Sequence, residues 1–330
     1  MEEPGTGAAQ RLLRRADELQ RTRPALAFPV AVAKKFGDDR AGQLAALIAY
    51  YGFFSLFPLL LVFATVVAIV ARDDPALQQR LLDSAVSQFP VVGTDIRQSV
   101  GELSGSPAAL AIGIVGALWS GTAVVSAAQH AMDEVWDVPR VERPAIWIRL
   151  VRAVLLFAAF GSAIVVAAVL AGVGGETASP LVRIPATVAM VVLSVGLFAV
   201  AYRVLTTAHV RWGEVMPGAL LAAVVWTALL YAGGWLVDRW VRNASEAYGF
   251  FKIVIGLLTW IFVLAQVFVV AAEVNVVRAR RLWPRGLSEP PLAPTDRRVL
   301  ADQVEEERAH PDERIDVRFA DRRPDAGDPR

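Results

Sequence analysis

Residues 41–71 read AGQLAALIAYYGFFSLFPLLLVFATVVAIVA, a run bounded by Arg40 and Arg72 with no charged residue between them. A helix crosses a hydrocarbon core ~30 Å thick with about 20 apolar residues, so this run is long enough to span a membrane. Working outward, the span itself falls at about residues 43–70. Comparable runs recur at about 108–128, 154–173, 184–202, 215–237 and 253–272. Backbone polar groups in lipid must be satisfied within the segment, and nothing here alternates like a barrel strand, so all six are predicted as α-helices. The expected fold class is all-α: a polytopic membrane protein with six transmembrane helices, amphipathic interfacial helices and a disordered C-terminal tail. The domain organisation follows as a cytoplasmic N-terminal segment over 1–40, a six-helix transmembrane domain over 41–284, and a tail over 285–330.

Composition agrees with one membrane domain carrying polar ends: 330 residues are 55% hydrophobic, with a mean hydropathy of +0.46. The chain has no cysteine, which excludes disulfides, thiolate metal sites and thiol nucleophiles. A net charge of +1 gives no global argument for nucleic acid. The N-terminal segment, with Arg11, Arg14, Arg15, Arg21 and Arg23, has no apolar core of a signal peptide, so the first span is expected to serve as the insertion signal. The distribution of charge is more telling. One set of span ends carries Lys34, Lys35, Arg40, Arg140, Arg143, Arg149, Arg152, Arg203, Arg211, Arg278, Arg280, Arg281 and Arg285. The other carries only Arg72, Arg80, Arg97, Arg183, Arg239, Arg242 and Lys252. The positive-inside rule then predicts a multi-pass protein of the cytoplasmic membrane with both termini in the cytoplasm, as an even span count requires.

Two segments read as interfacial or as packed loop helices. Residues 75–89 place Leu77, Leu81, Leu82, Val86 and Phe89 on one stripe, and residues 25–37 place Leu26, Phe28, Val30, Val32 and Phe36 around Lys34 and Lys35, interrupted by Pro29. Asp38 or Asp39 is a candidate N-cap for the first span. From Arg285 the chain is dominated by Pro, Asp, Glu and Arg, a composition unable to bury enough apolar surface to fold alone.

Polar groups inside spans are costly and are functional candidates by default. Tyr51, Ser55 and Pro58 share one face of the first span, and Pro58 frees a carbonyl near mid-membrane. With Trp119, Ser120, Trp226 and Gln266 they form the candidate lining of an intramembrane cavity, Gly116 and Gly121 allowing room. The competing reading is that both serine hydroxyls bond to carbonyls of their own helices. His130, Asp133 and Glu134 stand at relay spacing at the end of the second span, where solvation alone also accounts for them. Glu273 ends a long apolar run in a place the helix dipole disfavours, so Glu273 and nearby Asn275 are predicted as structural anchors, the carboxylate meeting an arginine or a backbone N–H of another segment. Three scattered histidines, no Gly-rich phosphate loop and no metal-ligand spacing give no catalytic residues, no metal site and no cofactor. The basic residues are explained by topology, which leaves nucleic acid without support as a partner.

These residues together resemble the YihY/BrkB family of bacterial inner-membrane proteins. The matches are Ala45-Ala46-Leu47-Ile48-Ala49-Tyr50-Tyr51, Ser55-Leu56-Phe57-Pro58-Leu59-Leu60, Leu118-Trp119-Ser120 and Met132-Asp133-Glu134-Val135-Trp136. Further on come Arg211-Trp212, Met216-Pro217-Gly218-Ala219, Trp226, Asn243-Ala244-Ser245, Tyr248-Gly249, Trp260 and Ala272-Glu273-Val274-Asn275. The likeness runs from about Phe36 to Arg281. Ala271 and Lys252 depart from it, standing where members often carry a glycine and an apolar or small residue. The resemblance implies a six-helix inner-membrane protein. It also carries a historical label as a tRNA-processing ribonuclease and a link to serum resistance, and the residues give the nuclease label no support. The expected function is transport or lipid translocation, with membrane lipids and a small-molecule or lipid substrate as partners. The alternatives are a non-transporting envelope scaffold and, remotely, a membrane-associated ribonuclease. The topology is checked by reporter fusions at Ser84 and Arg285, which should report opposite sides of the membrane; the same side for both would refute it.

Overall fold

The computed structural model describes residues 17, 20, 22–70, 107–173, 179–243, 249–287 and 292–319. The amphipathic stretch expected at 75–89, the Ser245 and Tyr248 motif positions and the last residues of the tail lie outside them. Among the described residues every regular element is helical. In chain order these are α1 (Pro24–Asp38), α2 (Ala41–Val70), α3 (Pro107–Val135), α4 (Ile146–Val173), α5 (Pro180–Leu205), α6 (Trp212–Asn243), α7 (Gly249–Arg280) and α8 (Pro294–Glu306), with a short 3-10 turn at Arg140–Glu142.

Among the described residues, five stretches are long and apolar enough to cross a membrane: Ala41–Leu59, Ile146–Ala167, Pro180–Leu205, Trp212–Leu230 and Val254–Arg280. The sixth expected span corresponds to α3, which packs along α2 as part of the same bundle. The long helices follow one another around a ring: α2 on α3, α3 on α4, α4 on α5, α5 on α6, α6 on α7, and α7 back on α2. Large apolar side chains such as Val115, Trp147, Ile164 and Leu181 point outward, as lipid-facing positions do. The buried faces are rich in alanine, with Ala45, Ala49, Ala131, Ala219, Ala222, Ala271 and Ala272 in one continuous core. Lipid is as apolar as leucine, so helices in a membrane associate through close packing, and small residues permit it.

One region decides between two readings of the sequence, and another differs from what the sequence suggested. Helix α1 runs through Pro29 without a break, and it buries Ala27, Ala31, Val32 and Lys35 against α7 and α2, so it is a packed helix. Pro24 opens α1, where its missing N–H is not needed, and Pro29 lies in the second turn, where a single backbone bond is lost. The tail expected to be disordered from 285 instead forms α8, which buries Val299 and Asp296 against the end of the bundle. Its composition is too polar to fold alone, but it borrows a preformed surface.

A close helix crossing joins two sequence motifs far apart in the chain. Gly218 of α6 meets Ala271 and Asn275 of α7, and its N–H donates to Asn275 Oδ1 at 2.6 Å. A Cβ at Gly218 would overlap the Ala271 carbonyl oxygen and the Asn275 amide. Gly218→Ala should therefore lower stability by about 1–3 kcal/mol, the range for overpacking. Gly161→Ala, where a Cβ meets nothing within 4 Å, is the control. Thermal unfolding in detergent checks this; equal midpoints for the two variants would contradict the packing.

Candidate functional site

The polar residues of this bundle concentrate at the end where α1, the C-termini of α3 and α7, and α8 converge. Lys35 is the centre. Its side chain is fully buried, and its ammonium donates to the Asp39 carboxylate, to Asp137 Oδ1 at 3.2 Å and to the Val135 carbonyl at 3.1 Å. Lys35 and Asp39 stand one helical turn apart at the end of α1, so the helix presents both on one side. Asp137 comes from the corner after α3, where it adopts φ 46°. The short polar side chain of aspartate tolerates this left-handed conformation. Arg40 and Arg281, at φ 51° and 53°, make equally sharp corners beside it. Three such residues around one site indicate that packing holds the backbone there.

Glu273 of α7 completes the cluster from the membrane side. It is fully buried, and its carboxyl lies against that of Asp39 with Lys35 and Asp137 in electrostatic reach. Neither of its oxygens receives a donor from the described residues. Two carboxyls in contact form a hydrogen bond only when one of them carries a proton. The partners expected for Glu273, an arginine or a backbone amide, are thus replaced by a lysine and a second acid. Burial pushes Asp39 up to about 6, although Lys35 opposes the shift. Burial alone would lower the Lys35 pKa, but the carboxyls of Glu273, Asp39 and Asp137 outweigh it and hold the pKa above its ordinary value.

Outside this core the pairs continue. Arg280 Nη1 meets Asp137 Oδ2 at 2.7 Å and Asp302 Oδ2 of α8 at 3.6 Å. Gln303 Nε2 of α8 donates to Asp39 Oδ1 at 3.3 Å. Beside it, buried Arg285 links Asp296 of α8 to Asp38 of α1, and Lys34 reaches Asp296 at 3.1 Å. Asp38 and Asp39 are thereby committed to ion pairs rather than to capping α2. On the other flank, Arg143 Nη2 lies 3.0 Å from Glu134 and 2.6 Å from Glu306, the last residue of α8, with His130 3.2 Å from Nη1. Asp133 accepts the Thr207 N–H at 3.2 Å. The His130–Asp133–Glu134 group therefore holds loops and tail to the bundle.

The candidate cavity residues are placed as follows. Ser55 donates to the Gly52 carbonyl and Ser120 to the Gly116 carbonyl, each at 2.8 Å within its own helix. Trp119 points outward at 81% exposure. A Cβ on Gly116 would sit 3.0 Å from Pro58, and one on Gly121 would overlap the Phe157 ring, so both glycines admit neighbouring side chains. Tyr51 packs edge-on to Tyr50, and Trp226 meets Phe198 of α5 at 6.3 Å. Gln266 is half-buried on α7. Asn275 receives Gly218 as described.

The sequence reading overlooked Lys35, Asp39, Asp137, Arg143, Arg280 and Glu306 as site residues. The basic ones were absorbed into the topology argument. The one available signal was the Lys35–Asp39 spacing beside an apolar helix face.

An all-helical, multi-pass membrane protein whose polar residues gather at one end of the bundle is the class these features define. The chain belongs to the family described as virulence factor BrkB, whose model matches residues 32–295. It is 25% identical over 290 residues to an uncharacterised protein of Dickeya dadantii, covering 80% of this chain and 88% of that one. It is 26% identical to a UPF0761 membrane protein of Alkalilimnicola ehrlichii, covering 76% of this chain and 58% of the relative. A Bacillus subtilis relative named putative ribonuclease-like protein YfkH is 27% identical, over 72% of this chain and 90% of its own. No solved structure matches.

Docking of α8 should depend on pH. Burial, then the Glu134 charge beside it, pushes Glu306 up to about 8, while Arg143 opposes the shift and Asp137 adds to it. A group whose pKa is raised on docking favours the docked state when protonated, so its contribution is complete in acid and disappears as pH rises through about 8. A spin label at Leu300→Cys, the only cysteine in the chain, should become more mobile between pH 6 and 9. Adding Glu306→Gln should flatten that profile; an unchanged profile would refute the assignment.

Proposed function

We propose that this protein moves a small solute or a lipid across the cytoplasmic membrane through the interior of its helix ring. The Lys and Arg asymmetry of the span ends supports a cytoplasmic position for the charged end. The observation that supports this reading is the buried cluster of Lys35, Asp39, Asp137 and Glu273 where the helices converge. A bundle that only needed sealing gains nothing from charge, because buried ion pairs are often no more stable than apolar packing. Ionisable groups buried in a membrane bundle are functional candidates by default. Tyr51, Ser55, Pro58, Ser120, Trp226 and Gln266 are the candidate lining above this closure, with membrane lipids and the transported molecule as partners.

The reading is non-enzymatic. Three carboxyls surround the Lys35 ammonium, which occupies the place a divalent cation would take, so the cluster offers no water activation of the kind a ribonuclease needs. A partner-binding role is the second reading, favoured by Leu300 and Val304 exposed one turn apart on α8.

Reconstitution in phosphatidylethanolamine–phosphatidylglycerol vesicles tests the proposal, using a fluorescent short-chain phospholipid and a membrane-impermeant quencher. The wild-type chain should expose inner-leaflet probe at least several-fold faster than empty vesicles. Lys35→Met should raise that rate by at least an order of magnitude, because removing one partner of a buried pair destabilises the closed state by about 3–5 kcal/mol. No movement of the lipid probe or of an enclosed small dye would leave the partner-binding reading ahead.

A further inference from the structure

The cluster at Lys35 is unequal in its charges. Lys35 and Arg280 are the cations within contact of the core, and Asp137, Asp39 and Glu273 are its acids, while Asp302 at the rim faces Arg298 as well as Arg280. Asp137 is used twice, by Lys35 through one oxygen and by Arg280 through the other. Two cations are therefore balanced by Asp137 and by one further negative charge, whereas Asp39 and Glu273 would supply two. Their carboxyls lie against each other, and Glu273 has no donor from the described residues. A proton shared by the two carboxyls resolves both the imbalance and the missing donor.

We propose that Asp39 and Glu273 form a proton-binding site, with the proton as its ligand and Gln303 of α8 as the cover over its open side. As a binding site this stands on the side-chain geometry; as the coupling ion of a transporter, the proton rests on the transport reading above. The groups facing the pair come from every surrounding element: Lys35 from α1, Asp137 from the corner after α3, Arg280 from α7, and Asp302, Gln303 and Arg298 from α8. Asp39 is the outer member of the pair: its side chain is 3% exposed under the Gln303 amide, which rests on its Oδ1 at 3.3 Å, while Glu273 is fully buried. Lifting α8 uncovers Asp39 first.

The direction of coupling follows. Burial holds the Asp39 pKa up at about 6, so the closed cluster favours protonated Asp39 and that preference is lost as pH rises through about 6. Opening the charged end to water returns Asp39 to an ordinary carboxylate. Its O–H bond breaks, the proton passes to water, and the electron pair stays on the carboxylate, which Lys35 then neutralises. Opening and proton release are one event, on the side that α8 covers.

Infrared titration of the full chain in phosphatidylethanolamine–phosphatidylglycerol nanodiscs tests the site without any substrate. The wild-type protein should gain a buried acid carbonyl as pH falls through about 6. At pH ~5, Asp39→Asn and Glu273→Gln should each lack one acid carbonyl that the wild type has. Gln303→Ala keeps both acids, so it should keep the signal and quicken its deuterium exchange several-fold. Wild-type spectra from both Asp39→Asn and Glu273→Gln would overturn the site, as would an unchanged exchange rate in Gln303→Ala for its cover. If either acid variant fails to fold, the other and Gln303→Ala still decide. A normal titration in a chain that moves no lipid probe keeps the site and removes the transport reading; lipid movement with no titration at Asp39 does the reverse.

Discussion

The buried ammonium of Lys35 is the constraint on which the charged end of this protein depends. A charge removed from water is tolerated only when it is paired and hydrogen-bonded, and Lys35 obtains both from groups that no single segment could supply. Asp39 comes from its own helix, Asp137 and the Val135 carbonyl from the end of α3, and Glu273 from α7. Satisfying one lysine therefore fixes three helix ends relative to one another. The left-handed corners at Arg40, Asp137 and Arg281 are the backbone's accommodation to that convergence.

Helix α7 organises the rest. It contacts α1, α2, α3 and α6, and its buried C-terminal half sets Ala271, Ala272, Glu273 and Asn275 among Val269, Val276 and Val277. Ala271 and Ala272 let α6 approach until Gly218 can donate to Asn275, while Glu273 turns to the charged cluster. On the same helix the Phe268 carbonyl accepts the Tyr202 hydroxyl at 3.0 Å, with the two rings stacked, which ties α5 to it. Each of these bonds lies in or beside lipid, where an unmet polar group has no water to fall back on. They consequently determine which helix faces meet, a matter that uniform apolar packing leaves open.

The tail helix shows how a polar sequence acquires structure. Asp296, Asp302, Gln303 and Glu306 each find a partner on the bundle, and Val299 supplies the one buried apolar contact at the centre of α8. Such a helix is held by charge and proton occupancy more than by apolar area. Its attachment is accordingly the part of the fold most responsive to conditions.

The sequence by itself determined that this chain is helical and lies in a membrane. Those properties follow from local apolar length: the uninterrupted run from residue 41 to 71 has no other stable solution than a helix in lipid. It also exposed the Met216–Ala219 and Ala272–Asn275 stretches as distinctive, and singled out Glu273 and Asn275 for their awkward placement. The tertiary structure alone decided what those residues touch. Lys35, Asp39, Asp137 and Glu273 are separated by up to more than two hundred positions, and a charge near a span end looks the same in sequence whether it faces water or a buried partner. The serine hydroxyls of α2 and α3 were equally undecided, since back-bonding and cavity lining require the same residue at the same spacing. Local periodicity fixes which segments are helices; pairing of charge and close approach of small residues, both non-local, fix how the helices meet.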